Sequence, residues 1–287
     1  MSNKIYFNTP GRFSVKRSMV NVTTRLHHTI ARKHAIKTAK KLLLTPARLK
    51  AKNPDPQNLI RGKVACEEGP LATYSLGEGP VWLITHGWSG STSQFFPLME
   101  HIAAQGFTAL AFDYAGHGES GGRYGHLPAF VNAMDAMADS VDNIAGIVAH
   151  SMGSAAVLES KHRNLKDKPL LLVAPVVNYL DNLMLMIQRS GFSIKLFNEV
   201  ISEVESQYQY PLQSIDPQKR LIERQAPTMI VHDSEDKFAN HSISVEMSEQ
   251  SQWVDLISVQ GYGHNRIMKA DETMQAFERL VEKSLLK

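Results

Sequence analysis

Several features are missing from the chain, and each absence excludes a class of protein. The only cysteine among 287 residues is Cys66, so the chain cannot form an internal disulfide. No apolar run approaches the roughly 18 residues of a membrane span, and the N-terminus lacks the apolar core of about 7 to 15 residues found in secretory signals. We therefore exclude an integral membrane protein and expect a reducing, cytoplasmic location. Side chains at metal-ligand spacing are also missing, and we expect neither a metal ion nor another cofactor.

Acidic residues are missing from the first 54 positions, which contain 13 Lys or Arg residues. The remaining 233 residues carry 18 basic and 28 acidic side chains, a formal balance of −10. Residues 1–54 therefore form a basic N-terminal arm beside an acidic body. Within the arm, Thr23 or Thr24 can cap a helix that runs to about Leu44 and ends before Pro46. Its apolar face, opposite four lysines, consists of Ala31, Ala35, Ile36, Ala39, Leu42 and Leu43.

Three roles are open for this arm. We favour packing of its helix on the acidic body of the same chain, because a stripe built largely of alanines buries too little area for firm membrane attachment. Weak peripheral contact with an anionic membrane, or with another polyanion, is the first alternative, since clustered basic side chains add about 1 kcal/mol each at such a surface. An organelle transit peptide is the second. We expect no nucleic-acid partner, and we expect the chain up to about Val20 to be mobile.

A nucleophile is indicated at Ser151, where the apolar run 147–150 leads into a sharp turn and an alanine-rich helix follows. This order of strand, turn and helix exposes the serine oxygen, and it places the next backbone N–H, that of Met152, at the helix N-terminus. A serine hydroxyl needs a general base within reach and donors directed at the oxyanion that forms on attack. A small residue at any tight turn gives a similar pattern, so the pattern alone does not identify a nucleophile. The general base and the oxyanion donors must be found in other parts of the chain.

Those groups follow predicted strands elsewhere in the chain. Residues 80–85 form an apolar run that leads into His86-Gly87-Trp88, where glycine lets a backbone N–H point inward, and we assign the second oxyanion donor to the Trp88 N–H. Residues 253–259 lead into a loop in which Gly261 and Gly263 free the backbone beside a histidine. His264 is therefore the predicted base.

The acid is expected in the loop after the predicted strand 227–231, where three carboxylates compete. We choose Asp236, because it lies well past the strand end, where the loop can curl back towards Ser151. Asp233 and Glu235 stay open as alternatives. The resulting order of serine, acid and histidine along the chain is typical of one large group of hydrolytic enzymes.

Short apolar runs alternate with helical patterns from residue 60 onward, which favours an α/β fold with a mostly parallel central sheet flanked by helices. The first two runs, 61–67 and 71–76, predict an antiparallel hairpin. Parallel sheets hold their ligand crevice at the carboxyl ends of the strands, and every candidate catalytic residue falls at such an end.

The alternation lapses between two of these strands. Residues 176–221 instead predict short helices that form a small helical cap or lid. The core of the fold is then expected in residues 55–175 and 222–287.

Five motifs in this order resemble the α/β-hydrolase superfamily of serine hydrolases, over roughly residues 60 to 287. They are His86-Gly87-Trp88, residues 113–120, the turn at Ser151, residues 232–236, and Gly263-His264. The resemblance implies a catalytic triad and an oxyanion hole, with Ser151 as nucleophile, His264 as base and then acid, Asp236 orienting the imidazole, and the N–H groups of Trp88 and Met152 as oxyanion donors. The chain departs from the family at Ala149, which stands at the first glycine of the turn, and we interpret His117 as structural.

In that superfamily the segment equivalent to 176–221 shapes specificity for the acyl or alcohol group. Met184 and Met186 would then supply a flexible apolar wall of the substrate pocket, although filling the cap's own core is an equally good interpretation. Trp88 and His150 are further candidates for the pocket lining.

These features predict a serine hydrolase that cleaves a small-molecule carboxylic ester, or a thioester, through an acyl-Ser151 intermediate. Other chemistry on the same fold, such as carbon–carbon bond hydrolysis or perhydrolysis, is an alternative, because a fold does not fix a reaction. A catalytically idle fold that binds a partner through the basic arm is another, and the complete set of candidate catalytic residues counts against it.

Overall fold

The computed structural model describes residues 15–48, 51 and 53–285. This part of the chain contains eight strands: β1 (Ile60–Val64), β2 (Leu71–Leu76), β3 (Val81–Thr85), β4 (Thr108–Phe112), β5 (Ile144–His150), β6 (Leu170–Val173), β7 (Thr228–Asp233) and β8 (Val254–Val259). The same residues form eleven α-helices: α1 (Val15–Ile30), α2 (Arg32–Leu44), α3 (Phe96–Ala104), α4 (Leu127–Asp139), α5 (Met152–Glu159), α6 (Tyr179–Ser190), α7 (Ile194–Tyr208), α8 (Pro217–Glu223), α9 (His241–Gln250), α10 (Gly263–Arg266) and α11 (Asp271–Leu285).

The strands form one sheet with the order β1-β2-β4-β3-β5-β6-β7-β8. β2 pairs antiparallel with both β1 and β4, and every other neighbouring pair is parallel. Strands of a parallel sheet are covered on both faces, which is why all four residues of β6 are apolar and buried. The predicted hairpin and the mostly parallel sheet flanked by helices are therefore confirmed.

One layer of the core lies between the sheet and helices α3 and α11. Apolar side chains from these helices join alternate strand residues in a single buried cluster. Within this cluster, the Trp82 ring meets the Phe277 ring edge to face, with 4.8 Å between the centroids. A Cβ on Gly146, the residue opposite Trp82 in β5, would lie 2.4 Å from the indole, so glycine makes room for the largest core side chain.

The parallel strands bring the candidate residues to one edge of the sheet. β3, β5, β7 and β8 end at Thr85, His150, Asp233 and Val259, and the loops that carry the candidate catalytic residues follow these ends. Because parallel strands all point the same way, these loops gather at the carboxyl edge.

The chain divides into two compact units. The sheet unit comprises Pro46–Val177 and the chain from Pro217 onward. The helical unit comprises the described residues up to Thr45 together with Asn178–Asp216, so it combines α1 and α2 with α6 and α7. Residues 1–14 of the basic arm lie outside the described part of the chain. No helix in the described ranges is long and apolar enough to cross a membrane.

The arm contains two helices, and the prediction of a single helix from Thr23 or Thr24 to Leu44 is wrong. Both threonines lie inside α1, where their hydroxyls donate to the carbonyls of Met19 and Val20, four residues earlier. A threonine hydroxyl that is bonded in this way does not cap a helix N-terminus. The stretch 15–20, which was expected to be mobile, forms the first part of α1.

The break between α1 and α2 falls at Ala31, whose φ of −137° and ψ of 61° are not helical. Neither proline nor glycine marks it. Instead, Glu199 of α7 contacts both sides of the break, at 3.1 Å from His28 and 2.9 Å from Arg32. A contact with a distant part of the chain thus accompanies a bend that the local sequence does not signal.

Helix α2 packs on α7 through small side chains. Ala35 and Ala39 are buried, as their position on the predicted apolar face required, but Leu42 from that face is 68% exposed. Lys40, which was expected on the solvent side, is only partly exposed and lies 3.4 Å from Glu203. The packed face is therefore rotated from the one inferred from the sequence.

Candidate active site

Ser151 occupies a strained turn between β5 and α5. Its φ of 55° and ψ of −122° lie outside the regions that non-glycine residues prefer, at a typical cost of about 1 to 3 kcal/mol. Hydrogen bonds hold the turn: its N–H donates to the Val173 carbonyl at 3.1 Å, and its own carbonyl accepts from Ser154 at 3.0 Å. The neighbouring strand β6 thus fixes the conformation in which the serine side chain leaves the sheet edge.

Two glycines leave the space that this turn needs. A Cβ on Gly87 would lie 2.6 Å from the Cβ of Ser151, and a Cβ on Gly153 would lie 2.7 Å from the His86 carbonyl oxygen. Ala149, where the superfamily pattern has glycine, is fully buried in β5 in register with Thr85 and Leu172. The Ala149 methyl is accommodated there. The close approach of the loop after β3 to the serine turn therefore depends on Gly87 and Gly153.

His264 lies in the short helix α10 directly after the loop that follows β8, and it connects the other two candidate residues. Its Nε2 is 2.8 Å from Ser151 Oγ, and its Nδ1 is 2.6 Å from Asp236 Oδ2. A carboxylate accepts but does not donate, so the proton is on Nδ1 and Nε2 faces the serine hydroxyl as an acceptor. The three residues chosen from the sequence therefore form one hydrogen-bond chain.

Asp236 is held as a buried carboxylate. Its Oδ1 accepts from the N–H groups of Phe238 at 2.7 Å and Ala239 at 3.1 Å, and its Oδ2 also lies 3.3 Å from Nε2 of His232. Burial on its own would raise the pKa of Asp236, but the nearby His232 ring and the hydrogen bond from His264 outweigh burial and keep the pKa below its ordinary value. The carboxylate is therefore ionised when His264 becomes protonated.

His232 is a contact of Asp236 that sequence reasoning missed. Its ring is fully buried, and Nδ1 lies 2.7 Å from Ser244 Oγ in α9. Little in the sequence indicated this contact. Residues four positions apart lie on one face of a helix, but His232 and Asp236 are not in a helix. Through these two contacts the ring extends the buried polar chain from Asp236 to α9.

The two alternative acids, Asp233 and Glu235, make their hydrogen bonds with groups other than the imidazole of His264. Asp233 is fully buried, but its Oδ2 accepts from the N–H groups of Tyr262 at 2.6 Å and Gly263 at 2.7 Å, and its Oδ1 from that of Glu235 at 2.7 Å. Glu235 is exposed, and its Oε1 accepts from Gln260. Asp233 therefore fastens the backbone that carries His264 instead of meeting the imidazole.

The predicted oxyanion loop is fixed by two buried histidines. His86 donates from Nδ1 to the Gly87 carbonyl at 2.7 Å, while its Nε2 accepts from the Tyr114 N–H at 3.1 Å. His117 accepts at Nε2 from the Ser89 N–H at 3.1 Å. Burial, the larger cause, together with the neighbouring His86, lowers the pKa of His117 to about 3, and burial also lowers the pKa of His86. Both rings are therefore neutral at physiological pH, and His117 is structural as predicted.

These bonds determine the direction of the Trp88 N–H. The Gly87 carbonyl and the Trp88 N–H belong to one planar trans peptide, in which they point in opposite directions. Because His86 and Gly90 both donate to that carbonyl, the peptide cannot rotate freely. Met152, the other predicted donor, is the first residue of α5, where the backbone N–H groups have no partner within the helix.

Asp113 joins this loop to the next. Its Oδ1 accepts from the Thr92 N–H at 2.7 Å, and its Oδ2 accepts from the Tyr74 hydroxyl at 2.9 Å and from the Glu119 N–H at 3.0 Å. A Cβ on Gly118, whose φ is 41°, would lie 1.9 Å from Oδ2. The motif 113–120 is thus a structural clamp beside the site.

The four predicted pocket residues lie in different surroundings. His150 is buried, and its Nε2 lies 2.8 Å from the His264 carbonyl; burial first, and then His264, lower its pKa to about 3. Trp88 is 37% exposed, with its ring edge-on to His117. Met184 and Met186 lie on α6 in the helical unit, and Met186 is exposed. Their roles in substrate binding stay predictions.

A cavity that the sequence did not indicate opens beside His264. Its volume is about 250 Å³, and its lining consists of Glu235, Lys237, Phe238, Gly261, Gly263, His264 and Arg266. The Phe238 ring lies 5.3 Å from the imidazole of His264. A larger cavity is lined only by α2 and α7 of the helical unit and carries none of the candidate catalytic residues. Within the described ranges, no three His, Cys, Asp or Glu side chains are grouped so as to hold a metal ion.

A protein-family model described as serine aminopeptidase, S33, matches residues 80–218. This range begins at β3, includes the turn at Ser151 and ends in α8. No curated protein matches the chain.

Solved structures of hydrolases resemble the chain over most of its length. The esterase Pf2001 of Pyrococcus furiosus is 17% identical with a TM-score of 0.62, over 84% of this chain and 97% of that one. Est1E of Butyrivibrio proteoclasticus, with ferulic acid bound, is 20% identical with a TM-score of 0.59, over 78% of this chain and 98% of that one. A thioesterase domain from the curacin biosynthetic pathway is 18% identical with a TM-score of 0.56, over 79% of this chain and 100% of that one.

At these identities the likeness to solved structures shows the fold. The family model adds a match that contains the serine turn and the loop after β3, and it supports classing the chain as a hydrolase. The chain has the α/β-hydrolase fold.

Proposed function

We propose that the protein is a serine esterase that hydrolyses carboxylic esters through an acyl-enzyme on Ser151. The observation that carries this proposal is the hydrogen-bond chain from Ser151 Oγ to His264, at 2.8 Å, and from His264 to Asp236, at 2.6 Å. Both distances are within the range that proton transfer to a general base requires. The esterases and the thioesterase domain that share the fold give further support.

In the first half of the reaction, Ser151 Oγ attacks the carbonyl carbon of the ester while its proton passes to His264 Nε2. The imidazolium that forms donates from Nδ1 to the buried carboxylate of Asp236, which stabilises the positive charge. The tetrahedral intermediate then collapses, and Nε2 returns the proton to the oxygen of the leaving alcohol. The acyl group stays bound to the serine.

The oxyanion of this intermediate is assigned to the N–H groups of Trp88 and Met152. A donor whose direction is fixed before the reaction loses little free energy in reorganising, and one such donor typically contributes about 3 to 4 kcal/mol to the transition state. The two hydrogen bonds on the Gly87 carbonyl supply this preorganisation for the Trp88 N–H. Gly87 itself leaves the space for the ester carbonyl beside the serine.

In the second half, water replaces the alcohol. His264 Nε2 takes a proton from the water as the water oxygen attacks the acyl carbon, and the same oxyanion donors are used again. Ser151 Oγ leaves with the proton from His264, so the carboxylic acid is released and the resting state returns.

Hydrolysis of peptides from a free amino terminus is the second candidate, because the matched family is described as serine aminopeptidase. Such a substrate presents an ammonium group, which a site recognises with carboxylates. The cavity beside His264 is lined by Lys237 and Arg266 but by only one carboxylate, Glu235. Its charge therefore favours a neutral or anionic substrate.

The test compares purified wild-type protein with Ser151→Ala on p-nitrophenyl esters of increasing acyl length and on amino-acid p-nitroanilides. We expect ester cleavage that falls by about 10⁴-fold or more in Ser151→Ala, because residues of a triad act as a unit. Ser154→Ala is the matched control, since its hydroxyl lies in the helix that follows the serine turn and donates to the Ala149 carbonyl. Anilide cleavage that exceeds ester cleavage would favour the peptidase.

Labelling with a fluorophosphonate tests whether the serine is activated at all. We expect covalent labelling of wild type and of Ser154→Ala but not of Ser151→Ala or His264→Ala. A chain that resists labelling and cleaves no ester would support an idle fold. Labelling without ester or anilide cleavage would direct attention to carbon–carbon bond hydrolysis or perhydrolysis.

A further inference from the structure

Helix α1 exposes an apolar stripe. Five aliphatic side chains are each more than half exposed: Val15 (64%), Met19 (62%), Val22 (63%), Leu26 (56%) and Ile30 (74%). Their spacing of three or four residues places them on one face of the helix over its whole length. Isolated exposed aliphatic residues are ordinary, but an unbroken row of five along a helix is typical of an interaction surface.

The opposite face of α1 is polar and is already bound within the helical unit. Three of its side chains make the contacts: Asn21 donates to the Gly191 carbonyl at 3.0 Å, Thr24 accepts from the Ser193 N–H at 3.1 Å, and His28 lies 3.1 Å from Glu199. A Cβ on Gly191 would lie 2.4 Å from the Arg17 carbonyl oxygen, so the backbones approach closely. The helix is therefore oriented by its polar side, with its apolar side turned outward.

We propose that the apolar stripe of α1 docks on the surface of an anionic lipid bilayer. The charge of α1 and α2 complements such a surface, because neither helix contains an acidic residue. Lys16 and Arg25 lie exposed on either side of the stripe, and Lys33, Lys37 and Lys41 are exposed on α2. Apolar residues on one helix face flanked by lysine and arginine enter the boundary between headgroups and acyl chains.

The size of the stripe disfavours a second copy of the chain as the occupant. A helix of 16 residues is about 24 Å long, and a stripe about 10 Å wide on it covers about 240 Å². Two such stripes would bury about 500 Å², well below the roughly 1,200 Å² of a stable protein interface. A bilayer needs no matching area, because clustered basic side chains contribute to the same binding.

Nucleic acid is disfavoured by the chemistry of the stripe. Phosphate groups are bound by cations and N–H donors, and five aliphatic side chains in the middle of the surface would contribute nothing to that contact. Acyl chains are the one abundant partner that takes up such side chains without a shaped pocket.

The experiment measures sedimentation of the full-length protein with vesicles of phosphatidylcholine, alone or with about 30 mol % phosphatidylglycerol, at about 0.05 and 0.5 M salt. We expect the anionic vesicles to bind at least about tenfold more tightly at low salt, with weaker binding at high salt. Leu26→Asp should reduce binding to anionic vesicles by about tenfold or more. Leu42→Asp is the matched control, because Leu42 is also an exposed leucine of the helical unit (68%, against 56% for Leu26) and lies outside the stripe. It should change binding by less than about threefold.

Circular dichroism and the thermal unfolding midpoint establish that the variants fold. The uncharged double variant Val22→Ser with Leu26→Ser gives the same comparison without an added charge, and we expect it to lose binding as well. Equal losses in Leu26→Asp and Leu42→Asp, with none in the serine variant, would overturn the proposal in favour of simple charge attraction. A wild-type dimer in analytical ultracentrifugation that Leu26→Asp dissociates would overturn it in favour of self-association. Duplex DNA that binds wild type and Leu26→Asp equally, while vesicles bind neither, would assign the basic surface to nucleic acid.

Discussion

Two aspartates lie three positions apart beside the same histidine, and their Asn variants should fail in different ways. Asp236 contacts the imidazole of His264, whereas Asp233 holds the backbone before it. We expect Asp236→Asn to lose turnover and keep most of its stability. Asp233→Asn should lose stability and keep much more of its turnover.

The effect at position 236 follows from the direction of one hydrogen bond. An asparagine can keep its oxygen on the N–H groups of Phe238 and Ala239, which leaves its NH₂ group facing His264 Nδ1. Nδ1 must then accept, so the proton moves to Nε2 and the ring can no longer take the proton of Ser151. We expect kcat to fall by about 10³ to 10⁴, equivalent to about 4 to 5.5 kcal/mol.

The effect at position 233 follows from its three backbone donors. An asparagine can satisfy Tyr262 and Gly263 with its oxygen, but its NH₂ group then opposes the Glu235 N–H. Loss of one hydrogen bond to a charged group costs about 1.5 to 3 kcal/mol. We expect the thermal midpoint to fall by about 4 to 10 °C, while kcat falls by less than about 30-fold because His264 keeps its carboxylate partner.

The measurements are steady-state kinetics on p-nitrophenyl butyrate and thermal unfolding by circular dichroism, with both variants and wild type at the same pH. A larger loss of kcat in Asp233→Asn than in Asp236→Asn would show that the wrong carboxylate was assigned. A normal kcat in Asp236→Asn would remove the assigned role of the hydrogen-bond chain.

Two further predictions concern the loop after β3. Gly87→Ala places a Cβ 2.6 Å from that of Ser151, so we expect kcat on p-nitrophenyl butyrate to fall at least about 100-fold in a protein that still unfolds cooperatively; unchanged kcat would show that the loop yields. The pKa of buried His117 is about 3, against an ordinary value of about 6.5 for the unfolded chain. As the pH falls, the unfolded chain therefore takes up a proton on this histidine before the folded protein does. The free energy of unfolding is highest above about pH 6.5 and decreases as the pH falls towards about 3. Between pH 7 and pH 5 this loss is about 2 kcal/mol, and urea unfolding of His117→Gln should lack it; the same pH dependence in wild type and variant would contradict the assignment.

The catalytic candidates could be predicted because each follows the end of an apolar run. Buried parallel strands are marked by continuous apolar residues, so the positions of Ser151 and His264 just past two strand ends were visible in the sequence. The parallel arrangement then brings these ends to one edge of the sheet, whatever their separation along the chain. Asp236 was chosen by the same argument, since only a residue beyond the strand end can turn back.

The supporting contacts could not be predicted, since they depend on where distant segments meet. β7 continues to Asp233, two residues past the end predicted from the sequence. The Asp233 side chain then bonds to the backbone of the loop after β8. The contact of His232 with Asp236 depends equally on the path of the loop. The break between α1 and α2 is contacted by Glu199 of α7, which is more than 160 residues away in the sequence.

The polar docking of α1 has a consequence for anyone who exchanges segments between relatives. Residues 178–216 do not satisfy all of their own polar groups, because the Gly191 carbonyl and the Ser193 amide are bonded to α1 and the Glu199 carboxylate is bonded to α2. A chimaera that imports only the stretch between β6 and β7 would bring these groups without their partners. The stretch and the N-terminal helices must therefore be transplanted as a pair.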